Sequence, residues 1–140
     1  MKYTPYTPEI RFADIDAMGH VNNATYLTYL EQARIHYFSQ MDLGTWDWKK
    51  HGVIVARHEI DYKRPIYSRD RVFIQLGCKN IGGKSLHMDY KVTVVDGDGQ
   101  QTIAAFASTV LVCFDHTSQQ TISVPEKWKE KMLALPSVTS

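Results

Sequence analysis

Within the ten residues Asp14-Ile15-Asp16-Ala17-Met18-Gly19-His20-Val21-Asn22-Asn23, the chain gathers two carboxylates, an imidazole and two carboxamides. They stand immediately before a strongly helical stretch, and a helix start presents unpaired backbone N–H groups and a partial positive charge. Such a terminus can stabilise the negative oxygen that develops on an attacked carbonyl. A carboxylate a few residues upstream can approach the same carbonyl, either as a nucleophile or as a general base on water. The leaving group then selects the carbonyl compound. A thiolate, from a thiol of pKa about 8.5, departs with little help from a general acid, whereas an amide nitrogen needs one. One carboxylate beside a helix terminus therefore suits a thioester better than a peptide. The same residue types also cap helices and form turns, and His20 could simply bond to backbone. By itself the segment leaves both roles open.

The elements that must position these groups are legible from apolar spacing. Glu9 to Phe12 is short and strand-compatible. Tyr26, Leu27, Leu30, Ala33, Tyr37 and Phe38 then recur at spacings of three and four, which predicts a helix of about four or five turns, with Asn22 or Asn23 as its N-cap. Met41 to Lys50 is expected to be a short helix or an irregular turn. From Val53 the period becomes two. Val53 to Tyr62, Arg71 to Ile81, Ser85 to Val95 and Thr102 to Phe114 read as strands, the turns between the last three marked by Gly82-Gly83 and Asp96-Gly97-Asp98-Gly99. The last strand is so continuously apolar or small that it is expected to be central and covered on both faces. Val124 to Leu133 predicts a short terminal helix before a polar tail, with Pro125 in the first turn. The sum is an α+β domain whose mostly antiparallel sheet of about five strands is covered by one long helix.

Composition limits the alternatives. At 140 residues, 44% of them hydrophobic, the chain suits a single domain over 1–140 with its core roughly at 6–126 and a short helix and tail at 124–140. Sixteen basic against fifteen acidic residues leave a net charge of +1, which offers no general attraction for nucleic acid or an anionic membrane. Cys78 and Cys113 lie far apart in apolar stretches and read as reduced core thiols. No signal-like or membrane-spanning apolar run is found, and the expected location is cytoplasmic. The remaining histidines lack metal-ligand spacing, so no metal is expected.

The run from Arg11 to Arg34 closely resembles the opening of the 4-hydroxybenzoyl-CoA thioesterase family, a hotdog-fold family, with weaker agreement at Tyr62, Pro65, Asp70, Ser85, Tyr90 and Val110 to Asp115. The resemblance implies a curved antiparallel sheet wrapped around a helix and an acyl-CoA substrate. It matches Asp16, not Asp14, to the catalytic aspartate, and the backbone N–H of Asn23 to the oxyanion donor. Some relatives carry a histidine where this chain has Asn23, so a catalytic imidazole does not transfer to that position. Plant acyl-carrier-protein thioesterases are similar in an Asp-x-Asn-x-His-Val-Asn-Asn run whose aspartate and histidine fall on Asp16 and His20, though their asparagine falls on Met18. His20 is therefore an orienting or proton-carrying candidate. Gly19, Tyr26, Lys84 and Ser85 are the expected substrate contacts, the last two near the coenzyme A phosphates.

Glu31 and Arg34 match the family's Glu-x-x-Arg, and their spacing predicts an intrahelical ion pair. Trp46, Trp48, Tyr26 and Tyr29 are either core aromatics or the lining of an acyl channel. The expected protein is an acyl-CoA thioesterase needing no dissociable cofactor and working as a homodimer or homotetramer, with coenzyme A or acyl-carrier protein as the acyl carrier. Two other expectations stand beside it: an enoyl-thioester hydratase or dehydratase on the same fold, and a non-catalytic acyl-CoA binding protein. The four-residue step from Asp16 to His20 and the absence of a His-Phe-Pro pattern speak against the first.

Overall fold

Near residue 51 the apolar spacing changes from three and four to two, and there the chain changes from helix to sheet. A computed structural model describes residues 4–138. Helix α1 spans Thr25–Ser39 and α2 spans Glu126–Ala134, and between them lie β1 His51–Tyr62, β2 Arg71–Ile81, β3 Ser85–Val95, β4 Gln101–Asp115 and β5 Gln120–Thr121. The first four strands form one antiparallel sheet in the order β1-β4-β3-β2, and the two-residue β5 pairs with the end of β4. β4 is therefore central, as its composition predicts. It is not covered on both faces, because burial alternates along it: Ala105, Ala107, Thr109, Leu111 and Cys113 are buried, while Phe106, Ser108, Val110 and Val112 are half-exposed.

The buried set of β4 faces α1 in company with Leu86, Met88, Tyr90, Val92 and Val94 of β3 and Val72, Ile74 and Leu76 of β2. Tyr26, Tyr29, Leu30, Ala33 and Tyr37 of α1 complete the same cluster. Through its pairing with β4, β1 turns Val53, Val55, His58, Ile60 and Tyr62 to that face. A bulge between Val55 and Arg57 keeps the apolar set inward on both sides of it.

Four further expectations need correction. Glu9 to Phe12 is not a strand: Phe12–Asp14 is a 3-10 turn, and among the described residues before it only Tyr6 bridges the sheet, at Ile74 of β2. The covering helix is not long. α1 has 15 residues and α2 nine, so α1 runs only about 22 Å. Its N-cap is Ala24, with no side-chain cap bond, while the Asn22 side chain accepts the Ala24 N–H at 2.9 Å. Finally, Arg34 does not pair with Glu31. Its guanidinium is buried under the helix and donates to the Tyr90 hydroxyl at 3.0 Å.

Candidate active site

The polar segment before α1 folds into a closed loop. Ile15 bridges Val21, the Asp16 N–H donates to His20 O at 2.8 Å, and the Gly19 N–H donates to Asp16 O at 3.0 Å. Gly19 makes the reversal at φ +85°, a conformation costly for any residue with a Cβ. Two contacts fix this loop against the chain that follows β1: the Val21 N–H donates to Ile66 O at 2.8 Å, and His20 bridges Tyr67. The imidazole of His20 sits edge-on to the Tyr67 ring, 5.2 Å between centroids. Nothing in the sequence marks Tyr67 as the neighbour of His20, since their contact depends on the tertiary fold.

Asp14 ties the loop to the helix from beneath. Its side chain is buried; it accepts the Arg11 N–H at 3.0 Å, the Arg11 guanidinium at 3.1 Å and the Tyr29 hydroxyl at 2.7 Å. Burial works to raise its pKa, but these three donors outweigh it and hold the carboxyl below its ordinary value. Tyr29 in turn is pushed well above the usual phenol range by burial and by the carboxylate beside it. Itself buried and bonded to both Arg11 and Tyr29, Asp14 serves as an anchor between the loop and the helix.

Asp16 is placed differently. It is half-exposed, and a single oxygen, Oδ1, accepts the backbone N–H groups of Met18 at 2.9 Å and His20 at 3.3 Å. Oδ2 accepts no bond from the described residues. The carboxylate is thus oriented by one oxygen and presents the other. The returning arm of the loop leads into α1, which begins without a side-chain cap and without an acidic residue in its first turn, so no acidic side chain in that turn offsets its partial positive charge. Asn23 is exposed, its N–H donates to no described residue, and its carbonyl accepts the Tyr62 hydroxyl at 3.1 Å. Tyr62, on the β1 edge, thereby fixes the peptide preceding the helix, a tertiary contact that the sequence does not announce.

The structure sets Asp16, Gly19 and His20 in one closed loop, whose returning arm runs through Val21 and Asn22 to Asn23 and the start of α1. Tyr26 lies just below them, 4% exposed, its ring edge-on to Tyr62 at 4.8 Å. Burial, with Tyr62 beside it, pushes the Tyr26 phenol up to about 12. Lys84 and Ser85 are not brought there within the chain. Tyr62 pairs with Ala105, whereas Ser85 pairs with Val112 seven residues further along β4, about 24 Å away. Lys84 donates instead to Thr121 at 3.4 Å, at the opposite end of the sheet. Neither cysteine offers a nucleophile: burial pushes the Cys113 thiol up to about 11 and raises that of Cys78 as well. Among the described residues, no group of three or more His, Cys, Asp or Glu side chains could hold a metal, and no helix is long and apolar enough to cross a membrane.

Comparison with known proteins shows the family and the fold. The profile of the Thioesterase-like superfamily matches residues 10–132. The chain is 29% identical over 126 residues to the long-chain acyl-CoA thioesterase FadM of Escherichia coli K12, covering 89% of this chain and 92% of FadM. It is 32% identical to a 1,4-dihydroxy-2-naphthoyl-CoA hydrolase of Rippkaea orientalis, covering 86% of this chain and 88% of that one. A solved thioesterase of Thermus thermophilus, complexed with coenzyme A and Zn, matches with a TM-score of 0.78 at 35% identity, over 94% of this chain and 92% of its own. A 4-hydroxybenzoyl-CoA thioesterase shares the fold at a TM-score of 0.83, over 91% of this chain and 96% of its own, but at only 19% identity. The resemblance carried by residues 11–34 is accordingly corrected to the broader superfamily, in which that thioesterase is a distant structural neighbour.

Proposed function

Because the chain belongs to the Thioesterase-like superfamily, we propose that it hydrolyses acyl-CoA thioesters, releasing a carboxylic acid and coenzyme A, with Asp16 as the reacting carboxylate. The observation that carries this reading is the asymmetry of Asp16: Oδ1 is held by two backbone N–H groups, while Oδ2 accepts from no described residue in the loop that leads into the uncapped α1. The thioester carbonyl sits at that start, its oxygen toward the Asn23 N–H. Asp16 either attacks the carbonyl carbon or takes a proton from an attacking water, and the oxygen carries negative charge while the tetrahedral centre exists. The centre collapses by breaking the carbon–sulfur bond, and coenzyme A leaves as thiolate. If Asp16 attacked directly, water then hydrolyses the resulting anhydride and regenerates the carboxylate. His20 orients the loop or carries a proton, and no dissociable cofactor takes part. The unpaired thiols of Cys78 and Cys113 support a cytoplasmic location.

A second copy of the chain completes the site in this reading. β1 is an edge strand with Ile54 and Tyr62 40% and 47% exposed, beside Leu27 of α1 at 39%. Antiparallel pairing of two β1 strands covers that surface and sets the Lys84–Ser85 end of one copy near the Asn23 end of the other. Lys84 and Ser85 then serve the coenzyme A phosphates across the interface. Mixing chains carrying Asp16→Asn with chains carrying Lys84→Ala tests this directly, assayed below KM. The mixture is expected to recover about a quarter of wild-type activity, because half the dimers are mixed and each has one intact site of two. Activity no greater than the sum of the two parent variants contradicts the shared site.

Crotonyl-CoA tests the reaction itself. A thioesterase releases free thiol from it, whereas a hydratase removes the enoyl absorbance and releases none. Tight binding without either signal supports a binding protein instead.

A further inference from the structure

We propose that Trp48 forms the end wall of the acyl subsite and sets the length of acyl chain that the enzyme accepts. The inference rests on the thioesterase reading above and adds to it the determinant of substrate length.

On α1, Leu27, Glu31, Ile35 and Phe38 fall at spacings of four, four and three, forming one stripe that starts just past the helix start. Between the far half of this stripe and β1 lies a groove of about 460 Å³, walled by Ile35 and Phe38 on one side and Val53, Val55 and Leu111 on the other. Ile35 is 63% and Val55 44% exposed, so the groove presents apolar surface that an occupant would remove from water. Its two charged members balance: Glu31 is acidic, and Arg34 already donates to Tyr90. The occupant that fits is an uncharged aliphatic chain continuous with a carbonyl held at the helix start. From Thr25 to Glu31, the first residue of the groove, the helix axis advances about 9 Å, so a chain laid along the stripe reaches the groove when it is of medium length.

Trp48 closes the far end. Its indole lies 5.1 Å from Phe38 and is stacked at 28° and 5.0 Å on Trp128, which is itself fully buried. A wall braced from behind in this way does not yield to a longer chain as a lone loop side chain would.

The test is the chain-length profile of kcat/KM over straight-chain acyl-CoAs from butanoyl to stearoyl. Trp48→Ala is expected to move the optimum about two to four carbons longer, with about fourfold gained for each methylene that finds new room. Ile35→Trp, at an exposed position, fills the groove and is expected to move the optimum shorter; it decides the matter if Trp48→Ala fails to fold. An optimum unmoved in a folded Trp48→Ala overturns the proposal. So does a change in sedimentation with an unmoved optimum, which identifies a second copy of the chain as the occupant. Calorimetric binding of free fatty acids over the same lengths separates this inference from the reaction. A length shift in binding with no thiol released upholds the Trp48 wall and rejects the thioesterase reading; thiol release with an unshifted optimum does the reverse.

Discussion

Replacing Asp16 with asparagine is expected to lower kcat by roughly 10²–10⁴-fold on any acyl-CoA the wild type hydrolyses, while the melting temperature stays within about 2 °C of the wild type. The two halves of that expectation come from the two oxygens. Oδ1 is the acceptor that holds the N–H groups of Met18 and His20, and an asparagine side-chain oxygen in the same place continues to accept them. The turn at Gly19 and the bridge to Tyr67 then survive. What is lost is the free anionic oxygen, and an amide is neither a nucleophile nor a base at neutral pH. A variant that keeps its activity removes Asp16 from the chemistry, and one that unfolds makes Asp16 a loop residue like its neighbour two positions earlier.

That neighbour supplies the second large effect, on stability. Asp14→Ala leaves the buried Tyr29 hydroxyl and the part-buried Arg11 N–H without their acceptor, at a cost of about 2–4 kcal/mol. For a domain of this size the melting temperature falls by roughly 5–15 °C. The pH dependence has a definite sign. Because hydrogen bonds and Arg11 hold the folded Asp14 carboxyl below its ordinary value, its contribution is present above the unfolded value of about 3.9 and is lost as pH falls through the folded one. The wild type is therefore expected to lose stability progressively below about pH 4, and Asp14→Ala to lose less over the same range because it starts without that contribution. Thermal melts of both proteins from neutral pH downward measure it. Superimposable melts at neutral pH would show that the anchor carries no weight.

The contrast between Asp14 and Asp16 shows where sequence reading stops. The resemblance singles out Asp16, but that Asp14 points inward follows from Tyr29, which is buried on the same face of α1 as Tyr26, Leu30, Ala33 and Tyr37. Leu27, placed on the buried face by spacing alone, is instead 39% exposed. The β2 and β3 boundaries coincide with expectation because alternation and glycine turns are local signals. Glu9 to Phe12 has local strand character too, yet its end closes into a 3-10 turn in which Arg11 O and Phe12 O accept the Asp14 and Ile15 N–H groups. Arg34 follows the same logic: a spacing of three allows the bond to Glu31, but the fold offers Tyr90 across the core. Lys84 and Ser85 carry suitable chemistry for phosphate, and only the sheet register reveals that they lie at the far end from Asn23.

The central claim is that this loop and helix start hydrolyse a thioester. The most direct measurement is free thiol appearing when purified wild-type protein meets short, medium, long and aromatic acyl-CoA thioesters side by side. Multiple-turnover release from at least one of them is the predicted result. No release from any, by protein shown to be folded, contradicts the account.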